Sequence, residues 1–161
     1  MRAQGASRDW READAPTCAE RCLVTEIGRR VARPGPNPEL TVMSTQDIAN
    51  DLVALCKAGK FDEAGEKYWA DDVLSVEAMP GDMAQMRGKE AARGKGEWWA
   101  NAHEIHSSEV EGPYVNGDQF AVRFKMDLTQ KASGERIKMD EVGLYTVKNS
   151  KIAEERFFYG E

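Results

Sequence analysis

The stretch 115-VNGDQFAVRFKMDL-128 decides the fold. Phe120, Val122, Phe124, Met126 and Leu128 alternate with Ala121, Arg123, Lys125 and Asp127. An apolar residue at every second position is the signature of a strand with one buried face. Just before it stands Asn116-Gly117, the pair that most readily adopts the positive backbone angles of a tight hairpin. The pattern therefore predicts a hairpin whose second strand presents Val122, Phe124 and Met126 to an interior and Arg123, Lys125 and Asp127 to water.

Working outward, the C-terminal third continues in the same manner. Lys131 to Glu135 (KASGE) turns the chain, Ile137 to Val147 reads as a strand, Lys148-Asn149-Ser150 turns again, and Lys151 to Tyr159 reads as the last strand. Toward the N-terminus the period changes. Ser44-Thr45-Gln46-Asp47 has the form of a capping box, and Ile48, Leu52, Leu55 and Cys56 then share one helical face. Phe61 to Trp69 supports a second short helix, residues 70–81 (ADDVLSVEAMPG) a turn and a short strand stopped at Pro80-Gly81, and Gly88 to about His103 a third helix, weakened by Gly94 and Gly96. Helices gathered ahead of a meander of strands predict an α+β fold with N-terminal helices packed on a curved, mostly antiparallel sheet.

The 161 residues suffice for one domain with one core. Residues 1–42 differ in kind from the rest. Every basic residue in them is arginine, and RPGPNP at 33–38 breaks any regular element. They read as a disordered N-terminal extension, with Met43 as a plausible start of the domain that spans 43–161. Cys18 and Cys22 are spaced as half of a metal site but lack a second pair, and three cysteines make no disulfide framework. A net charge of −6 argues against nucleic acid and anionic membranes as partners. No apolar run approaches the length of a membrane span and no signal-peptide core is evident, so the expected location is cytoplasmic.

From Met43 onward the chain resembles the NTF2-like superfamily, in its SnoaL-like and ketosteroid-isomerase-like branch. The resemblance is carried by CKAGKFDEA (56–64), YWADDVLSVEAMPG (68–81), GKEAARGKGEWW (88–99), VNGDQFAVRFKMDL and GLYTVKNSKIAEERFFYG (143–160). It implies a cone-shaped α+β barrel enclosing an apolar pocket, a homodimer formed through the sheet, and a small hydrophobic molecule as partner. In such isomerases the catalytic carboxylate ends the short strand after the ADD turn, which here is Glu77. Their two oxyanion donors fall on Leu52 and Gly143, so both are missing. The Asp-Arg-Asp pattern of limonene epoxide hydrolase is not evident.

The resemblance also sends Glu141 and Tyr145 inward, with Glu155, Phe157 and Tyr159 of the last strand. A carboxyl group in apolar surroundings is held toward its neutral form and can serve as general acid or base. The catalytic candidates are Glu77, Glu141, His103 and His106. The substrate-binding candidates are Trp98, Val122, Phe124, Met126, Tyr145, Glu155, Phe157 and Tyr159. Glu141 and Glu155 could instead pair with Arg123, Arg136 or Arg156, and His103 could simply favour a helix C-terminus. Trp98 and Trp99 point about 100° apart on a helix, so one lines the pocket while the other packs on the core. Met79, Met83 and Met86 fall near the expected mouth. His103-x-x-His106 lacks a third ligand, and neither metal nor cofactor is expected. The implied chemistry is that of a cofactor-independent isomerase, cyclase or dehydratase. The alternatives are a non-catalytic small-molecule-binding protein and a dimeric adaptor.

Overall fold

A computed structural model describes residues 43–160; the expectations for 1–42, including Cys18 and Cys22, lie outside the described residues. Helix α1 spans Thr45–Lys57, α2 Phe61–Tyr68, β1 Trp69–Val76, β2 Gln85–Arg87, α3 Lys89–Ala102, β3 His103–Asn116, β4 Gln119–Gln130, β5 Arg136–Lys148 and β6 Lys151–Tyr159. Three helices pack on one six-stranded sheet of order β2-β1-β6-β5-β4-β3. All pairings are antiparallel except β1 with β6.

The local signals act as read. The Ser44 hydroxyl accepts from the Asp47 backbone N–H at 3.2 Å while the Asp47 carboxylate accepts from the Ser44 N–H at 3.3 Å, closing the capping box. The expected hairpin joins β3 to β4, but it turns on Gly117-Asp118: Asn116 ends β3 opposite Gln119, and of the Asn116-Gly117 pair only Gly117 takes positive φ. Asn149 and Ser150 take positive φ in the β5–β6 turn.

Two local expectations change. Ala70-Asp71-Asp72, expected to turn, already belongs to β1, where a register shift between Trp69 and Leu74 absorbs the irregularity. The loop 79–88 contains β2, because the turn at Gly81 closes on itself and returns the chain to β1: Ala84 N–H donates to the Gly81 carbonyl and Glu77 N–H to the Ala84 carbonyl. Met86 lies in β2, and Met79 in the preceding loop is exposed.

The core lies between α1 and the inner face of the sheet. Ile48, Ala49, Leu52, Val53 and Cys56 from α1 meet Val110, Phe120, Val122, Phe124, Met126 and Leu128 from β3 and β4. The five alternating residues of β4 are all buried. Burial pushes the Cys56 thiol up to about 12. Toward the β1–β6–β5 side, the inner face becomes polar.

Candidate functional site

Strand alternation puts Val73 and Ser75 of β1 on the inner face, and Glu77 follows one residue after that strand ends. Ser75 lies beside Glu155 in the parallel β1–β6 ladder, and Glu155 faces Tyr145 across the β5–β6 ladder. On the same face Glu141 stands between Phe124 of β4 and Tyr159 of β6. Three carboxyl groups thus converge on one patch of the sheet. Helix α3 supplies the group opposite them. Ala92, Lys95 and Trp99 fall at i, i+3 and i+7; Ala92 is buried and Trp99 packs on the core, so Lys95 must point inward between them.

The contacts form one network. Lys95 Nζ lies 2.6 Å from Glu77 Oε1, 2.7 Å from Ser75 Oγ and 3.3 Å from Glu155 Oε1. It also sits 4.4 Å from the centre of the Phe157 ring, within reach of the ring's negative face. Glu155, whose side chain is 4% exposed, accepts from Trp69 Nε1 at 2.8 Å and from the Ser75 hydroxyl at 2.8 Å. Glu77 accepts from the Tyr159 hydroxyl at 3.2 Å. Water is largely excluded, with the Lys95 and Glu77 side chains 14% and 13% exposed.

Glu141 is the exception. Among the described residues its carboxyl receives no hydrogen bond. Burial, then the neighbouring Glu77 charge, raises its pKa to about 7, against a smaller lowering by Lys95 and with a further rise from Glu155. Burial and the Glu77 charge likewise push the Tyr159 phenol up to about 12, and burial keeps the Tyr145 phenol neutral. One carboxyl is therefore tied to an ammonium and a phenol, while a second near it holds its proton close to neutral pH.

The sequence-derived candidates divide as follows. Glu77, Glu141, Glu155, Tyr145, Phe157 and Tyr159 face one inner patch. Val122, Phe124 and Met126 point inward too, but as fully packed members of the core. Trp98 does not line the site: it is 52% exposed, and Trp99 takes the buried face. His103 caps α3, its Nδ1 2.9 Å from the Trp99 carbonyl oxygen and its ring 4.8 Å from the Trp99 ring. His106 Nε2 meets the Thr129 hydroxyl at 2.8 Å at the surface. Neither histidine bonds to the inner carboxylates among the described residues. Arg123, Arg136 and Arg156 pair on the outer face with Asp140, Asp127 and Glu154, leaving the inner acids alone.

Three members of the network were not among the candidates: Lys95, Trp69 and Ser75. The Ala92–Lys95–Trp99 spacing is the signal for Lys95, a charge on an otherwise apolar helix face. The positions of the two missing oxyanion donors are filled differently. Leu52 is core, and the Tyr145 ring lies over Gly143, where an added Cβ would stand 2.9 Å from the Tyr145 hydroxyl.

Two cavities, of about 590 and 520 Å³, open elsewhere. Both lie on the outer face. The first runs along β1 and β6 between Asp72, Lys89, Thr146 and Glu154; the second lies over Lys125, Asp127, Lys138 and Asp140. Among the described residues no group of three or more His, Cys, Asp or Glu side chains is arranged to hold a metal, and no helix is long and apolar enough to cross a membrane.

The family model described as a SnoaL-like domain matches residues 43–159. A crystal structure from Mesorhizobium loti, provisionally described as a SnoaL-like polyketide cyclase, is 62% identical, covers 73% of this chain and 100% of its own, and superposes with a TM-score of 0.71. An NTF2-like protein from Burkholderia xenovorans is 20% identical over 72% of this chain and 88% of its own, with a TM-score of 0.60. A protein with a ketosteroid isomerase-like fold from Catenulispora acidiphila, solved in complex with trimethylamine, is 19% identical over 73% of this chain and 88% of its own, with a TM-score of 0.57. The last two share the fold alone. No curated protein matches the chain.

Proposed function

This chain belongs to the SnoaL-like domain family, and from that premise we propose a cofactor-independent isomerase, cyclase or dehydratase. Its substrate is a small hydrophobic carbonyl compound, and its chemistry is general acid–base catalysis. The observation that carries the reading is the unequal pair of inner carboxyls. Glu77 is held by Lys95 and Tyr159, whereas Glu141 lacks a partner among the described residues and titrates near 7. Burial that raises Glu141 makes it the proton holder, and leaves Glu77, tied to Lys95 and Tyr159, as the base. Glu77 takes the proton α to the carbonyl, and Glu141 returns a proton to the product side.

The test needs no knowledge of the natural substrate. The full chain is incubated in heavy water with a panel of small cyclic ketones and enones, and α-hydrogen exchange is followed by NMR. Exchange above the buffer rate is expected for at least one member. Glu77→Gln should reduce it by about 10²–10⁴-fold, the usual contribution of a positioned base. Unchanged exchange in Glu77→Gln removes the assignment.

A second reading is supported by the fate of positions 52 and 143, which carry no oxyanion donor. In it the same face holds an apolar metabolite without changing it. Native mass spectrometry separates the two: a co-purified molecule released intact, with no ketone exchange, favours binding. The homodimer belongs to both readings. Val142 and Phe158 stand opposite each other on the outer face, at 36% and 49% exposure, with Leu144 in the next row. An exposed apolar patch of this kind fits a second copy of the chain. Light scattering at micromolar concentration should give a dimer, and Phe158→Glu a monomer. A protein-binding adaptor would use the same surface, and a cytoplasmic location accompanies each reading.

A further inference from the structure

We infer that Lys95 is a catalytic residue, the hydrogen-bond donor that holds the substrate's carbonyl oxygen as it gains negative charge. The inference rests on the acid–base reading above and supplies the part it lacks. Removing a proton next to a carbonyl places charge on oxygen, and a site already rich in carboxylates opposes that charge. A donor aimed at that oxygen typically contributes about 10²–10³-fold in rate, comparable to the base itself. Leu52 and Gly143 cannot donate, and among the described residues Lys95 is the one cation in the inner cluster.

The geometry shows which contact gives way. The ammonium has three N–H groups and three oxygen partners. Those to Glu77 and Ser75 are short, at 2.6 and 2.7 Å, and the one to Glu155 is long, at 3.3 Å. Glu155 keeps two other donors, Trp69 Nε1 and the Ser75 hydroxyl, so its carboxylate stays hydrogen-bonded when Lys95 turns away. A carbonyl oxygen takes the freed N–H. Because Glu77 touches the same nitrogen, the base lies next to the α-hydrogen of the carbonyl that Lys95 holds. Phe157 shields the ammonium on its other side and keeps the field undiluted by water.

The step balances without a co-reactant. Glu77 takes the α-proton, the C–H electron pair becomes a C=C bond, and the carbonyl π pair moves to the oxygen held by Lys95. Glu141 returns a proton to the α-carbon, or to the γ-carbon where the substrate is a β,γ-unsaturated ketone, which restores the carbonyl; transfer of the proton from Glu77 to the Glu141 carboxylate restores both acids.

The experiment uses the full chain with Glu77→Gln, whose neutral amide stands in for the base after it has taken the proton. At about pH 6 this host is titrated with 4-nitrophenol and with its neutral methyl ether, 4-nitroanisole. The expected result is nitrophenol bound in its ionised form, seen as the long-wavelength absorption band. It should bind more tightly than the ether by at least about tenfold, the effect of a charge-assisted hydrogen bond. Adding Lys95→Met should abolish the band and the preference, leaving nitroanisole affinity within about twofold. Lys95→Met strips a partner from buried Glu155, so the host with both Lys95→Met and Glu155→Gln, which removes the two charges together, must behave the same way. An ionised band that survives either change overturns the role of Lys95. So does nitrophenol bound neutral in the host that retains Lys95, and in that case intact ether binding leaves the acid–base reading standing. Failure to bind either probe overturns both.

Discussion

On the outer face of the sheet Arg123 meets Asp140 at 2.6 Å, Arg136 meets Asp127 at 2.7 Å, and Lys125 pairs with Glu111. On the inner face of strands β5 and β6, with Glu77 beside them, three glutamates stand near one lysine, which pairs with Glu77 and Glu155. The side-chain chemistry is the same and the outcome is opposite. Outside, the acids share Arg123, Lys125 and Arg136 in surface ion pairs with water around them. The hydrogen bond from Arg123 holds Asp140 below the usual carboxylate range, and that from Arg136 does the same for Asp127. Inside, the count is unbalanced and water is scarce, so Glu141 goes without a partner and is pushed toward its neutral form. A sheet face becomes chemically poised through surplus and burial, and charge alone does not achieve it.

The largest test of that contrast is Glu155→Ala. This change strips Trp69 Nε1 and the Ser75 hydroxyl of their acceptor and leaves Lys95 with one carboxylate. Removing one partner of a buried ion pair typically costs about 3–5 kcal/mol. Urea unfolding should show a loss of that order. A loss no greater than that of a surface substitution would mean the inner network is as weakly coupled as the outer one.

Glu141 gives the next largest effect and a sign. Its folded value near 7 lies above the ordinary 4.5. The folded state therefore binds the proton more tightly than the unfolded chain does. The stability this brings is complete below about pH 4.5 and is lost as pH rises through 7. The full swing is on the order of 3 kcal/mol, at 1.36 kcal/mol per pH unit. Glu141→Gln keeps the shape and removes the titration. Subtracting its unfolding free energy from that of the parent at each pH should leave a decline between pH 5 and about 7.5. A flat difference would show Glu141 in free contact with water. The other groups facing it, Glu77, Glu155, Lys95, Tyr145 and Tyr159, are common to both proteins.

These two acids also mark how far the sequence could be read. The family resemblance sent Glu77, Glu141 and Glu155 inward; period two alone gives each strand two faces, and only in Phe120 to Leu128 does it also say which one is buried. The capping box and the Asn116-Gly117 hairpin were equally legible, since each is chemistry confined to a few adjacent residues. Partners were not legible. Lys95 meets Ser75, Glu77 and Glu155 from a different element, and no local pattern gives that juxtaposition. Trp98 and Trp99 show the limit within a single helix. Periodicity says that one of them is buried, but choosing Trp99 required the axis set by Ala92 and Lys95.

Gly65 is the case that sequence least betrays, and it gives an intermediate effect. In α2 it looks like a flaw, since glycine weakens a helix relative to alanine. Yet an added Cβ would stand 2.5 Å from the Trp69 ring. The gap lets that indole lie against the helix and present Nε1 to Glu155. Gly65→Ala should therefore destabilise despite its better helix propensity, by about 1–3 kcal/mol, the usual cost of forcing bulk into a filled space. It should also move the Trp69 fluorescence. A more stable protein with unchanged emission would show that Trp69 does not support the inner network.

The smallest effect is expected at Asp140. Asp140→Asn removes a short bidentate pair with Arg123, in number of contacts no less than Lys95 offers Glu77. Both side chains lie in water, which solvates whichever partner is left, and salt screens what attraction remains. The urea midpoint should stay within the scatter of the parent, and added salt should not change the comparison. Should Asp140→Asn approach Glu155→Ala in cost, solvent would not be what separates the two faces. The raised pKa of Glu141 would then have to come from the count of charges alone, and a second lysine introduced beside it would bring it down without any change in burial.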